Sequence, residues 1–252
     1  MNIRFDGKIV AVSGAGHGIG RAVARSFAGL GAAVFAADNN AANLAETAAG
    51  GNIFTHVVDL ADRGAAAGWI AEVERHSGGR PIFALVNNCG GVAGQTARPF
   101  EQVTDEDWDR IFAVNIGAAM ALSRAVVPGM KRAGQGRIVN ISSGAGLQAS
   151  LTGIQAYCTA KHAVVGLTRQ LAHDLGPFGI TVNSVAPGFI RSNPDTEKQW
   201  DSYGAEGQKA LVERVALKHL GTAQDIANGV LFFVSDLANF VSGQILQVDG
   251  GR

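Results

Sequence analysis

Seven short apolar runs, rich in β-branched residues, punctuate the chain at Lys8–Ser13, Ala33–Asp38, Ile53–Asp59, Ile82–Asn87, Arg137–Ser142, Ile180–Ala186 and Gln244–Val248. Between them the apolar positions recur at helical spacing over Gly18–Leu30, Ala41–Ala49, Asp62–His76, Asp105–Arg132, Ala156–Gly176 and Gln224–Asp236. Runs that are apolar on both faces and separated by helices predict a parallel sheet covered on each side. Right-handed crossovers then predict a doubly wound α/β domain in three layers. Asp105 and Thr222 or Gln224 mark helix starts, and Gly31, Gly78–Gly79 and Gly134 mark stops. No linker, repeat or low-complexity tract divides residues 1–252, which read as one domain. The polar stretch Phe189–Gly207, with Pro194, Trp200 and Tyr203, has no clear period and reads as an irregular substrate loop or lid, about 189–215.

Composition narrows the class. With 252 residues, 47% hydrophobic and 17% charged, the chain can bury a large core. Formal net charge is zero, so neither a nucleic acid nor a membrane surface is an expected partner. The two cysteines, Cys89 and Cys158, have no neighbouring His or Cys at metal-ligand spacing, and read as reduced thiols of a cytoplasmic protein. No metal site is expected. No secretory leader pattern and no apolar run near the ~18 residues of a membrane span is evident.

The first strand runs directly into "SGAGHGIG", Ser13 to Gly20, and the second ends in Asp38. Glycines in such a strand-to-helix turn let the backbone approach a pyrophosphate, which then faces the amide end of the following helix. Ser13, Gly14, His17, Gly18, Ile19 and Gly20 are the expected contacts there, and Asp38 stands where a carboxylate accepts bonds from an adenosine ribose. A carboxylate at that point repels a 2′-phosphate, and Asn39 and Asn40 supply no arginine to reverse the preference, so the expected cofactor is NAD. His17 is the one nearby group able to favour a phosphate when protonated.

"SGAGHGIG", "VNNCGG", Asn115 in "FAVNIGAAM", "IVNISSGAG", "YCTAK" (Tyr157–Lys161), "VNSVAPGFI" and the closing "FVSGQILQVDGG" occur in the order found in the short-chain dehydrogenase/reductase family, which the whole chain resembles. The resemblance implies a Rossmann-type fold, NAD(P)-dependent oxidoreduction and a homo-oligomer, a tetramer or a dimer. Carried over by position, it implies Tyr157 as acid/base, Lys161 as its cationic partner and ribose ligand, Ser143 as the group orienting the substrate oxygen, and Asn115 as the holder of a water beside Lys161. It further implies cofactor contacts at Asp59, Leu60, Asn87, Gly90, Pro187, Gly188, Ile190 and Ser192. Two departures stand out: Cys89 replaces the usual alanine of Asn-Asn-Ala-Gly, and one extra residue separates Ser143 from Tyr157.

A tyrosine of ordinary pKa is phenolate in only about one molecule in a thousand at neutral pH. A cation one helical turn away, and the positive end of a helix starting near Ala156, would lower that pKa. Strand alternation allows only one of Ser142 and Ser143 to face the site, and Cys158 points away from the tyrosine to pack. For the substrate, Gln95, Gln148, Gln155, Phe189, Arg191, Asn193, Trp200 and Tyr203 are candidate contacts, with Gln148, Phe189 and Arg191 foremost. Their polarity points to a small sugar, sugar acid or hydroxy acid, with Arg191 available for a carboxylate. The function expected is an NAD-dependent alcohol dehydrogenase. The alternatives are an NADP-dependent carbonyl or 3-oxoacyl reductase and a nucleotide-binding regulator without catalysis.

Overall fold

In the computed structural model, which describes residues 3–49 and 51–252, the runs become β1 (Ile9–Ser13), β2 (Ala33–Asp38), β3 (Ile53–Val57), β4 (Ala84–Asn87), β5 (Gly136–Ile141), β6 (Ile180–Pro187) and β7 (Ile245–Val248). They form one sheet in the order β3-β2-β1-β4-β5-β6-β7, parallel throughout. This is the doubly wound, Rossmann-type arrangement expected. The alternation of the strands sorts the core into two layers. Val10 and Val12 pack on one face with Val23 and Phe27 of α1 (Gly18–Gly29). Ile9 and Ala11 pack on the other with Trp69 and Ile70 of α3 (Arg63–His76), which follows α2 (Ala41–Ala48). The strand order reverses between β1 and β4, and the crevice beyond their carboxyl ends is where such sheets bind ligands.

The segment Asp105–Arg132 is not one regular helix. α4 (Asp105–Phe112), capped by the Thr104 side chain, passes through a wide π turn at Ala113–Gly117 into α5 (Ala118–Ala133), which ends on Gly134 at φ 62°. The π turn is an irregularity that a 3.6-residue period cannot announce, and such turns gather at functional sites. Contrary to the sequence reading, the whole stretch Asp105–Ala133 is long and apolar enough to cross a bilayer, with a mean hydropathy of 1.6 in its most apolar window. Half of that window is buried in the protein, as suits a helix lying on the sheet.

α6 (Gln155–Leu175) lies close to its predicted bounds. The lid stretch does not: it holds α7 (Pro194–Ser202) and α8 (Gly204–Arg214) in place of an irregular loop. The residues that made it read as loop build a helix start. Asn193 Oδ1 accepts from the amides of Asp195 and Thr196, Thr196 Oγ1 accepts from the Asn193 amide, and Pro194 takes the first helical position, where no amide is needed. α9 (Ala223–Val234) closes the fold behind an analogous box of Thr222 and Asp225.

Candidate active site

At the crevice, the turn after β1 and the loop after β4 are tied together. The buried Ser13 hydroxyl donates to the Val86 carbonyl at 3.2 Å and accepts from the amides of Asn88 (3.0 Å) and Cys89 (3.1 Å). Asn88 Nδ2 donates to the Gly14 carbonyl at 2.8 Å. Ser13 is thus fully enclosed and shapes the turn with its side chain. Asn88, not singled out in the sequence, does the same from the other side; the doubled asparagine of "VNNCGG" was its only signal.

Glycine is required where these loops meet. Gly14 has φ 62°, and a Cβ there would lie 2.8 Å from the Cys89 Cα. Gly18 has φ 54° and faces the Ser192 carbonyl, which a Cβ would approach to 3.0 Å, so the segment after β6 crosses directly over the turn. α1 begins at His17, which is exposed and makes no side-chain cap, whereas α2 and α3 are capped by Asn40 and Asp62. The first amides of α1 are therefore free for an anion. Ile19 packs against the core beside them. Asp38 reaches back over the turn: its Oδ2 accepts from the Gly16 amide at 2.9 Å and its Oδ1 from the Asn40 amide at 3.0 Å. A Cβ at Gly16 would stand 2.7 Å from the Asp38 carboxyl carbon. A cradle without side chains, an uncapped helix start and a fixed carboxylate fit a dinucleotide.

The other expected contacts divide. Asp59 is exposed, its Oδ1 accepting from the Ala61 amide at 3.0 Å, while the Leu60 side chain belongs to the core. Asn87 is buried and donates to Ser123 Oγ (3.0 Å) and Asn140 Oδ1 (2.8 Å), and Asn140 Nδ2 in turn donates to Thr168 Oγ1 at 2.8 Å. Its side chain links β4 to β5, α5 and α6 and does not open on the crevice. Gly90, at φ 153°, passes between two site residues: a Cβ there would lie 2.6 Å from Asn115 Oδ1 and 3.2 Å from Lys161 Nζ. Pro187 ends β6, the Gly188 amide donates to the Val248 carbonyl at 3.0 Å, Ile190 is buried, and the Ser192 amide donates to Thr196 Oγ1 at 3.0 Å.

Asn115 sits within the π turn and is buried. Its Nδ2 donates to the carbonyls of Gly91 (2.8 Å) and Ile111 (2.9 Å), and its Oδ1 accepts from the Gly91 amide at 3.1 Å. Both amide protons are spent on the chain, so its evident work is to fix the Gly90–Gly91 loop beside Lys161. Lys161 is buried, and its Nζ donates to the Ile141 carbonyl at 3.0 Å. Burial lowers its pKa to about 8. Two of its three N–H groups remain unspent.

Tyr157 is the third residue of α6, whose start at Ile154 also has no side-chain cap. Its half-buried ring packs against the cluster of Ile111, Ile154, Ala156 and Ala160, and Lys161 Nζ lies 5.7 Å from the ring centre. Contrary to expectation, the phenol is raised above its ordinary value: burial lifts it more than the hydrogen bond with the Ser143 hydroxyl lowers it. The shift owes nothing to the Lys161 ammonium, whose Nζ donates to the Ile141 carbonyl. Ser143 faces Tyr157, while Ser142 is buried and donates to the Lys161 carbonyl at 3.2 Å. Cys158 Sγ tucks under the next turn against the Ala145 carbonyl at 3.3 Å. Half-buried Cys89 has its thiol pushed up to about 12, chiefly by loss of hydration, and both cysteines are free.

Around this group, Gln148 is exposed. Phe189 stacks on Trp200 with ring centres 6.0 Å apart. Arg191 gives Nε (3.0 Å) and Nη2 (2.6 Å) to Glu197 Oε2 and lies 5.1 Å from the Trp200 ring centre. Its charge is paired with Glu197 on an exposed face.

A family model described as enoyl-(acyl carrier protein) reductase matches residues 14–252. A (2S)-[(R)-hydroxy(phenyl)methyl]succinyl-CoA dehydrogenase subunit of Thauera aromatica is 36% identical over 250 residues, covering 97% of this chain and 96% of its own. Among solved structures, a putative NAD(P)-dependent gluconate 5-dehydrogenase of Beutenbergia cavernae with bound NADP is 35% identical at a TM-score of 0.89, covering 99% and 98% of the two chains. A 7α-hydroxysteroid dehydrogenase complexed with NADH and 7-oxo glycochenodeoxycholic acid is 33% identical at a TM-score of 0.90, covering 99% and 96%.

Proposed function

The chain belongs to the short-chain dehydrogenase/reductase family of oxidoreductases, and from that premise we propose that it interconverts a secondary alcohol and its ketone with NAD. The observation that carries the reading is the meeting of Tyr157, Ser143 and Lys161 beside a glycine turn whose helix amides are free. Bound NAD supplies the nicotinamide carbon that exchanges hydride with the carbinol carbon.

The rest is the work of the chain. The amides of Gly14 to Gly20 hold the pyrophosphate, and Asp38 takes the adenosine ribose hydroxyls, with Asp59 and the Leu60 main chain near the adenine. The segment Pro187–Ser192 holds the nicotinamide amide. The unspent N–H groups of Lys161 bind the second ribose. Ser143 donates to the substrate oxygen, where negative charge develops during reduction. Tyr157 delivers its proton to that oxygen in reduction and removes it in oxidation. The phenol is protonated at neutral pH, so it is ready as the acid of reduction and must lose its proton to serve as the base of oxidation. The helical segment 189–215 acts as the lid. The enzyme works in the cytoplasm, with its two thiols free, and assembles as a tetramer or dimer.

NAD is favoured because the Asp38 carboxylate, held by two amides, meets the position of a 2′-phosphate. An NADP-dependent reductase is the second reading, supported by exposed His17 at the turn and by the NADP in the gluconate 5-dehydrogenase-like structure. Steady-state comparison of the two cofactors in the wild type and Asp38→Ala decides between them: NADP used as well as NAD by the wild type refutes the cofactor assignment. Tyr157→Phe should abolish turnover while NAD still binds. Residual turnover near the wild-type rate would refute the acid/base role.

A further inference from the structure

The lid segment is held by its two ends. No residue from 191 to 210 is buried, α7 has no buried residue, and α8 has one, Leu211. Among the described residues the side-chain bonds of α7 and its cap stay within the segment. Arg191 reaches Glu197, Thr196 Oγ1 donates to the Asn193 carbonyl at 2.9 Å, and Gln208 Nε2 donates to the Trp200 carbonyl at 3.0 Å. Helices of nine and eleven residues that bury so little are marginal on their own. Support has to come from where the segment joins the rest of the fold.

Both junctions lie against the stretch that follows β7. At the entry, the Gly188 amide donates to the Val248 carbonyl at 3.0 Å, and a Cβ on Gly188 would stand 2.9 Å from the Asp249 Cα. At the exit, the Leu217 amide donates to the Gly250 carbonyl at 3.1 Å and the Ala216 amide to the Gly251 carbonyl at 3.3 Å. Gly250 and Gly251 have φ 72° and 84°, and a Cβ on Gly250 would come within 2.6 Å of Val215 Cγ1. Left-handed backbone and close approach both call for glycine here. The Asp249 carboxylate shapes this turn, its Oδ1 accepting from the Gly251 amide at 2.9 Å. Three consecutive residues, Asp249 to Gly251, therefore touch the start and the end of the lid. The entry also adjoins the site, since the Pro187 carbonyl lies 3.7 Å from where a Cβ of Gly144, next to Ser143, would be.

Resting on the reading of this segment as the lid of an alcohol–ketone enzyme, we propose that Asp249–Gly251 is the clasp that keeps the lid folded over the crevice, with Asp249 as its positioning residue. When the clasp is lost, the lid unfolds locally and the sheet does not, because the two share little buried surface. Ser143, at the end of β5, and Tyr157 and Lys161, on α6, keep their places. The substrate loses a wall while the proton-transfer group stays intact, so the loss falls on KM more than on kcat.

The test compares Asp249→Ala, Asp249→Asn and Gly250→Ala with the wild type, by amide hydrogen exchange and by oxidation of 2-butanol, cyclohexanol and gluconate with NAD. Asp249→Ala and Gly250→Ala should speed exchange over 191–217 by about tenfold and leave β1 and β5 unchanged. Asp249→Asn keeps the accepting oxygen and should exchange like the wild type. On any of these alcohols that is oxidised, the first two variants should raise KM by about fivefold and hold kcat within about twofold. Exchange unchanged over 191–217, or raised equally in β1 and β5, overturns the inference, as does an unchanged KM. The exchange measurement needs no turnover, so it decides the inference even when none of the alcohols is oxidised, a result that counts against the dehydrogenase reading alone.

Discussion

Lys161→Met should make the protein more stable while removing its activity. The ammonium is almost completely enclosed, 4% exposed, and burial brings its pKa from 10.5 to about 8. At about 1.4 kcal/mol per pH unit, that drop means the fold carries about 3 kcal/mol of cost for holding the charged form at neutral pH. Methionine fills similar space without charge. It forfeits the bond to the Ile141 carbonyl, at about 1–1.5 kcal/mol. The net gain at pH 7 is about 2 kcal/mol, or about 4–8 °C in Tm for a domain of this size. The sign in pH is fixed as well. The unfolded lysine keeps its proton up to pH 10.5 and the folded one only to about 8, so wild-type stability rises relative to the variant across that window. The advantage of Lys161→Met should therefore be full below pH 8, shrink between 8 and 10.5, and reverse above, where only the lost bond to Ile141 still counts. Paired thermal and urea unfolding of both proteins at pH 7 and pH 10, at one protein concentration, measures this. A variant less stable than wild type at pH 7, or a difference independent of pH, would refute the argument that the site holds a costly buried charge.

Other outcomes follow from the same geometry. Ser142→Ala should lower stability by about 1 kcal/mol, by removing the hydroxyl bonded to the Lys161 carbonyl, with little effect on kcat. Ser143→Ala should do the reverse, leaving Tm nearly unchanged and lowering kcat by about 100-fold; denaturation and steady-state kinetics on the pair check both. Gly16→Ala, whose Cβ would meet the Asp38 carboxyl at 2.7 Å, should weaken NAD binding by about tenfold or more in calorimetry, because either the turn or the carboxylate must move. Alcohol oxidation should speed up with rising pH and ketone reduction should slow, since burial raises the Tyr157 phenol and the base form is scarce at neutrality; a pH profile with the opposite slopes would sink the acid/base assignment. Phe240, fully exposed, adjoins Leu237 (44%) and the edge strand carrying Leu246 (38%), so Phe240→Glu should shift the oligomer toward smaller species in light scattering, and a monomeric wild type would remove the premise.

How far the sequence could be read depends on what each residue's partner was. The strands were legible because parallel, doubly covered strands are apolar on both faces, and the glycine turn because its backbone needs are local: Gly14 and Gly18 sit at positive φ for reasons visible in "SGAGHGIG". Strand alternation said that only one of Ser142 and Ser143 faces the site, and the family resemblance said which. The Tyr157 pKa was not legible. Spacing puts Lys161 on the same helix face, but the burial that raises the phenol is set by packing that spacing does not give. The Nζ donates to the Ile141 carbonyl, twenty residues away in sequence. Asn115 was named through the family resemblance, but its bonds to the Gly91 loop were not legible, since the π turn that aims it there leaves no trace in periodicity.

The lid shows how one misreading produces two. A run of Arg, Ser, Asn, Asp, Thr and Glu was read as loop because it is polar, and as a polar pocket wall because it is loop. In the structure the same polarity is spent on making helix: Asn193 and Thr196 close the capping box, Glu197 neutralises Arg191, and Gln199 takes the Tyr203 hydroxyl. The aromatic residues of the segment, Phe189, Trp200 and Tyr203, gather against one another beside these bonds. Helix formation and the packing of these rings are thus one event. Breaking the cap with Asn193→Ala should loosen α7, at about 1 kcal/mol, and with it the stacking of Trp200 on Phe189. Limited proteolysis near residue 200 should then quicken and the tryptophan fluorescence should change with it. A variant cleaved no faster than the wild type would show that the cap does not hold the helix.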